Sequence, residues 1–171
     1  MTMLFRAGAE LFAAVRQDLH RPHPFAAERV GFLACRAARL AGNGLIILAT
    51  TYEPVADEDY LEDHTVGAMM GPAAIRKAMQ RAYNSALGDI SIFHVHMHEC
   101  SGHPGFSRTD LTESAKFVPD FFNVAPMMPH GIVVLSRDRA AGLCWRGPQH
   151  SPIPINRFSM VGAPLRFWEW P

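Results

Sequence analysis

Residues 89–110 read DISIFHVHMHECSGHPGFSRTD, and the fold turns on how this stretch divides into elements. From Asp89 to His98 it reads as a strand, because Ile92, Phe93 and Val95 favour extended backbone and apolar residues alternate with His94, His96 and His98. Positions i, i+2 and i+4 of a strand share one face, so the three imidazoles project to the same side. Each carries two ring nitrogens that need partners, so apolar packing does not account for the triplet. Gly102, Pro104 and Gly105 then break the strand. Ser107 is suited to cap a helix running from about Thr109 to Phe122, with Pro119 ending or kinking it near its last turn.

The flanking sequence supplies further elements. Leu11, Phe12, Val15 and Leu19 recur at helical spacing over residues 8–20, and Pro22 and Pro24 stop that helix. Glu28 to Arg36 and Leu45 to Thr51 read as two strands joined through Gly42-Asn43-Gly44. Asp57 to Asp63 holds five acids in seven residues and reads as a solvated loop or edge segment. Gly71-Pro72 opens a helix over 72–87, with Ile75, Met79, Ala82 and Leu87 as its apolar stripe and Gly88 at its end. Ile132–Ser136 and Ala141–Trp145 form a late hairpin, and the tail from Pro152 runs as an edge strand to Phe167, Trp168 and Trp170. Helices interspersed with hairpins predict an α/β (α+β) fold, a mixed β-sheet flanked by helices in a single domain over residues 1–171. Its core spans about 8–146, and 147–171 is a C-terminal extension or edge strand.

Composition narrows the function classes. Lys plus Arg equals Asp plus Glu at 16 each, which leaves no electrostatic footprint for nucleic acid and no basic block for a membrane surface. No segment approaches eighteen apolar residues, so no membrane span is expected. The N-terminus is broken by Arg6 and Glu10, so no signal peptide is expected. Cys35, Cys100 and Cys144 are odd in number and form no CxxC pair, which predicts a reducing, cytoplasmic setting.

The histidines point to metal chemistry. With a rise of about 3.3 Å per residue, His94 and His98 stand roughly 13 Å apart along an extended strand. Zinc holds its nitrogen ligands at about 2.0–2.1 Å, so one ion takes neighbouring histidines and not the outer two. His96 and His98 lie nearer the loop, where a ligand from the following helix can reach. Asp110, in the first turn after Ser107, is the natural third ligand, and two histidines with one carboxylate leave a position open for water. Glu28, at the start of a strand before Gly31-Phe32-Leu33-Ala34-Cys35, is the candidate general base.

Glu28 before a Gly-apolar strand, then His96-Met97-His98, then Ser107-Arg108-Thr109-Asp110 resembles the JAMM (JAB/MPN) metallopeptidase family over residues 8–146. The resemblance implies an MPN/JAB-like fold, Zn2+ on His96, His98 and Asp110, water activation by Glu28 and an oxyanion hydrogen bond from Ser107. The chain departs from the family pattern in Met97, in lacking a proline after His98, and in eight residues between His98 and Ser107. The substrate class implied is a ubiquitin-like protein, cut at an isopeptide or peptide bond after its C-terminal glycine. That cleavage would serve deconjugation or precursor processing, with E1-like and E2-like proteins of the same operon as partners in a bacterial conjugation or antiphage system. A substrate tail adding a strand beside the cleft, with Asp57–Asp63 against its basic residues, fits that expectation.

Two other readings stay open at this level. Phe93-His94-Val95-His96-Met97-His98 also resembles the run of the histidine-triad nucleotide hydrolases, in which His94, His96 and His98 would act without metal. MPN-type domains also occur as scaffolds without activity.

Overall fold

A computed structural model describes residues 1–24, 26–63 and 67–169. Along the chain run β1 (Met3–Gly8), α1 (Ala9–Leu19), β2 (Val30–Leu40), β3 (Gly44–Pro54), β4 (Tyr60–Leu61), β5 (Met69–Met70) and α2 (Pro72–Tyr83). They are followed by β6 (Ser91–Met97), α3 (Arg108–Phe121), β7 (His130–Leu135), β8 (Ala140–Trp145), β9 (Ile153–Pro154), β10 (Arg157–Val161) and β11 (Arg166–Glu169). Among the described residues, nine strands form one sheet in the order β11-β10-β1-β3-β2-β6-β7-β8-β9, and β4 and β5 pair separately. The sheet is mixed: β1 runs parallel to β10 and β3, and β6 parallel to β7, while the remaining neighbours are antiparallel. The fold is therefore α+β. No helix among the described residues is long and apolar enough to cross a membrane.

The sheet is covered on both faces, which explains why all seven residues of β6 are buried. Phe93, Val95 and Met97 join Phe12, Val15 and Leu19 of α1 in one core. Ile92 packs into a second core with Ala74, Ala78 and Ala82 of α2 and Val118 and Phe121 of α3. The period of two along β6 thus sends His94 and His96 to the α2–α3 side with Ile92. Fully burying side chains of the size of Phe93 and Val95 stabilises the fold by about 1.5–3 kcal/mol each, so the strand is fixed by its other face.

Several expectations change. Met3–Gly8, not foreseen as a strand, lies between β10 and β3. The expected helix over 72–87 ends at Tyr83, and Leu87 is 79% exposed. The chain turns instead at Ser85, whose hydroxyl donates to Asp89, and Gly88 takes a positive φ of 58°. Burial on α2 falls on Ala74, Ala78 and Ala82, with Ile75 and Met79 packed at the margin. Helix α3 follows expectation, running Arg108–Phe121 with Pro119 in its last turn. Within the acidic stretch Asp59 is buried and paired with Lys77, so that segment is not simply a solvated loop.

Core residues lie on both sides of the expected 8–146 span: Met3 and Phe5 before it, Ile155 and Phe158 after it, all at most 2% exposed. The segment expected as an extension or edge strand supplies β9, β10 and β11. Of these, β10 is internal, flanked by β1 and β11. Trp168 packs edge-on to Phe12 and stacks on Phe158, while Phe167 is exposed and Trp170 lies outside the described residues.

Candidate metal centre

Strand register brings the site together. In the antiparallel pairing of β2 with β6, Val30 sits across from His96 and Phe32 across from His94. Continuing that register by two residues carries Glu28 toward His98, beyond the last paired position. Glu28 lies in the approach to β2 rather than in the strand, and its amide donates to the Gly67 carbonyl at 2.7 Å. On the other side of β6, the His98 amide donates to the Leu135 carbonyl at the end of β7. That bond turns the chain out of the sheet just where the loop to α3 begins.

The loop is tied down at several points. Ser136, fully buried, donates its hydroxyl to the Gly102 carbonyl at 2.6 Å, and the Gly102 amide donates to Asp138 at 2.7 Å. The Arg137 amide donates to the Cys100 carbonyl. Ser107 then caps α3 in a complete capping box: its Oγ accepts from the Asp110 amide at 3.0 Å, and Asp110 Oδ2 accepts from the Ser107 amide at 2.7 Å. Such a cap satisfies two of the free amides at a helix start and fixes the Asp110 carboxylate over the first turn.

The fixed carboxylate faces the histidines. His96 Nε2 lies 3.1 Å from Asp110 Oδ1 and 3.2 Å from His98 Nε2, and His98 Nε2 lies 3.5 Å from Asp110 Oδ2. Atoms bound at about 2.0–2.1 Å to one ion stand roughly 3.3–3.4 Å apart at tetrahedral angles. The separations match that spacing, and the donor set of two imidazoles and one carboxylate suits zinc. Glu28, His96 and His98 also offer one ligand atom each within 4.8 Å of one another, so the Glu28 carboxylate borders the same point. Neither His94 nor Asp110 is in that group, and Asp110 joins through its contacts with His96 and His98. The residues present fit a bound metal ion.

Electrostatics keep Asp110 ionised. Burial alone would raise its carboxyl, but the hydrogen bond and charge of His96 and the bonds from Ser107 outweigh it and hold it well below the usual carboxylate range. His94 behaves oppositely: burial, reinforced by His96, pushes it down to about 3, so it is neutral at pH 7.

The cluster opens into a cleft of about 820 Å³. Ser107, Asp110, Ser114 and Phe117 of the α3 segment form one wall, and Met69 and Met70 of β5 line the cleft as well. Sequence reasoning did not single out Gly67, yet a Cβ there would stand 2.8 Å from Glu28 Oε2. The signal was not legible locally, because the contact joins two irregular segments. Ser114 and Phe117 were legible, four and seven residues after Asp110 on one helical face. His23 and His103 do not line the cleft.

The fold and site together define a mixed-sheet α+β domain with a convergent His–His–Asp donor set beside a glutamate. No protein-family model matches the sequence, and no curated protein is similar to it. Among solved structures, the Trichoplax adhaerens STIL N-terminal domain aligns with 82% of this chain at 11% identity and a TM-score of 0.41. The chain spans 41% of that structure's length, and a likeness of this size carries no argument.

Proposed function

We propose that this chain is a zinc-dependent hydrolase of the JAMM type, with an MPN/JAB-like fold, cutting isopeptide or peptide bonds after the C-terminal glycine of a ubiquitin-like protein. The observation that carries the reading is the convergence of His96, His98 and Asp110 at 3.1–3.5 Å, with the Glu28 carboxylate at its border. Zinc held by those three residues supplies a Lewis acid that makes water nucleophilic near neutral pH. Glu28 takes the proton of the attacking water and returns it to the leaving amine. The Ser107 hydroxyl accepts from the Asp110 amide and so keeps its own hydrogen to donate to the developing oxyanion. A single donor of this kind contributes about 3–4 kcal/mol. The capping role and the catalytic role of Ser107 are therefore compatible.

The substrate tail belongs to the same proposal, as do E1-like and E2-like partners and a bacterial, antiphage setting. A cytoplasmic location does too, and the three free cysteines suit it. A histidine-triad mechanism leaves Asp110 and Glu28 without a task, and it asks a buried His94 to act beside exposed substrate.

Metal analysis tests the reading first. The purified chain is expected to carry or take up one equivalent of zinc. Glu28→Ala should keep that zinc while losing hydrolysis of a ubiquitin-like fusion by a hundredfold or more, on the order of a lost general base. A chain that takes up no zinc at neutral pH would sink the proposal.

A further inference from the structure

A histidine that ligates a metal through one ring nitrogen ordinarily donates the other N–H to a fixed acceptor, which sets its tautomer and ring orientation. His96 points Nε2 at His98 and Asp110, so the nitrogen left over is Nδ1. That atom is buried and has no hydrogen-bond partner among the described residues. The inward neighbour on the same strand presents the complementary defect: His94 is 8% exposed, and its Nε2 is buried without a partner among the described residues. A buried polar nitrogen left unpaired is costly, so two on adjacent rings call for one explanation. The ring centroids lie 5.5 Å apart and the planes are inclined by 41°, so the two rings are immediate neighbours on one face of β6. The Phe32 and Phe117 rings stand edge-on to His94 at 5.7 and 5.3 Å and hold it in place.

We infer that His94 is a positioning residue for His96: one bridging water accepts the His96 Nδ1–H and donates to His94 Nε2, leaving the His96 Nε2 lone pair directed at the metal. The third histidine is then neither a ligand nor filler. It sets the tautomer of the ligand two residues away. This rests on the proposed zinc site for its consequence, but the hydrogen-bonded pair exists with or without metal.

The experiment combines zinc titration against a competing chelator with nitrogen-15 spectra of the imidazoles. His94→Phe keeps an aromatic ring of similar shape and removes both nitrogens; His94→Gln restores an acceptor. Wild-type protein should show His96 as the Nδ1–H tautomer with that proton protected from exchange, even after metal is stripped. His94→Phe should bind zinc 10–100-fold more weakly while its circular dichroism is unchanged, and His94→Gln should recover most of the loss. Wild-type zinc affinity in His94→Phe, or a His96 protonated at Nε2 in the metal-free chain, would overturn the inference. If wild type binds no zinc, the hydrolase reading fails while the imidazole spectra still decide the His94–His96 bond. The same spectra decide it if His94→Phe does not fold.

Discussion

His130 illustrates how a single buried side chain sets a pH limit on this fold. It is fully buried, accepts the Ile92 amide at Nδ1 and donates through Nε2 to the Ala125 carbonyl. Burial pushes its pKa down to about 4, against about 6.5 for a free histidine. A depressed histidine favours the fold in its neutral form, so its contribution is complete above pH 6.5 and is lost as pH falls through 4. Thermal melts from pH 7 to pH 4 should therefore show falling stability. His130→Asn, whose Oδ1 can still accept from Ile92, should flatten that slope. It should also cost about 1–3 kcal/mol at pH 7, because the Ala125 carbonyl loses its donor. An unchanged slope would assign the acid sensitivity elsewhere. At the same scale, a methyl group at Gly67 meets the Glu28 carboxylate. Gly67→Ala is expected to lower turnover at least tenfold with zinc content unchanged, since misplacing the base leaves the ligands alone.

Among the elements, the acidic segment divides into parts with different work. Asp59 is 6% exposed and paired with Lys77 of α2, and Asp57 pairs with Arg29, itself 4% exposed. The Arg29 guanidinium also donates to the carbonyl of Pro22, and Tyr60 bonds both the amide and carbonyl of Val30. These contacts clamp the approach to β2 that carries Glu28. Asp59→Asn should thus be destabilising by about 1.5–3 kcal/mol in urea unfolding, the range for hydrogen bonds to charged groups. Glu58, which is exposed, tests substrate pairing without breaking the Asp57–Arg29 or Asp59–Lys77 pair. Glu58→Lys that left cleavage of a ubiquitin-like fusion unchanged would remove that pairing from the proposal. Helix α3 has the reverse economy, because its capping box orients the proposed ligand Asp110 and stabilises a helix start with the same two residues.

Across the whole molecule, the termini close the sheet. Phe5 and Phe158 pair across β1 and β10 with ring centroids 5.3 Å apart, and Phe5 also meets Phe93 of the histidine strand at 5.5 Å. A chain of aromatic contacts thus runs from the C-terminal strands to the back of the candidate site. Phe158→Ala should cost about 3–5 kcal/mol by denaturant titration, the range for an aromatic side chain removed from a core. Much less would mean that the C-terminal strands are an appendage. Zinc bound as proposed would act at this scale too: ligand that binds only the native state stabilises by about 2.7 kcal/mol at a hundredfold excess over its Kd. Chelation should lower the melting temperature accordingly.

The sequence by itself determined what depends on near neighbours. The helix over α1, the Gly42–Gly44 turn, the alternating strand, the Ser107 cap and the late hairpin all follow from spacing and from side chains that bond within a few residues. The order Glu28, His96, His98, Asp110 was legible for the same reason. Tertiary structure alone decided that β1 and β10 pair in parallel, that α2 ends at Tyr83, and that Asp59 is buried. It also decided that Gly67 backs Glu28. Each of these depends on pairing between distant segments, where the free energy comes from burial and register rather than from local preference. The histidine triplet stands on both sides of that line. Its period of two put three rings on one face and its spacing to Asp110 favoured the His96–His98 end; the register with β2 and the start of α3 brought those two beside Asp110 and left His94 buried behind them.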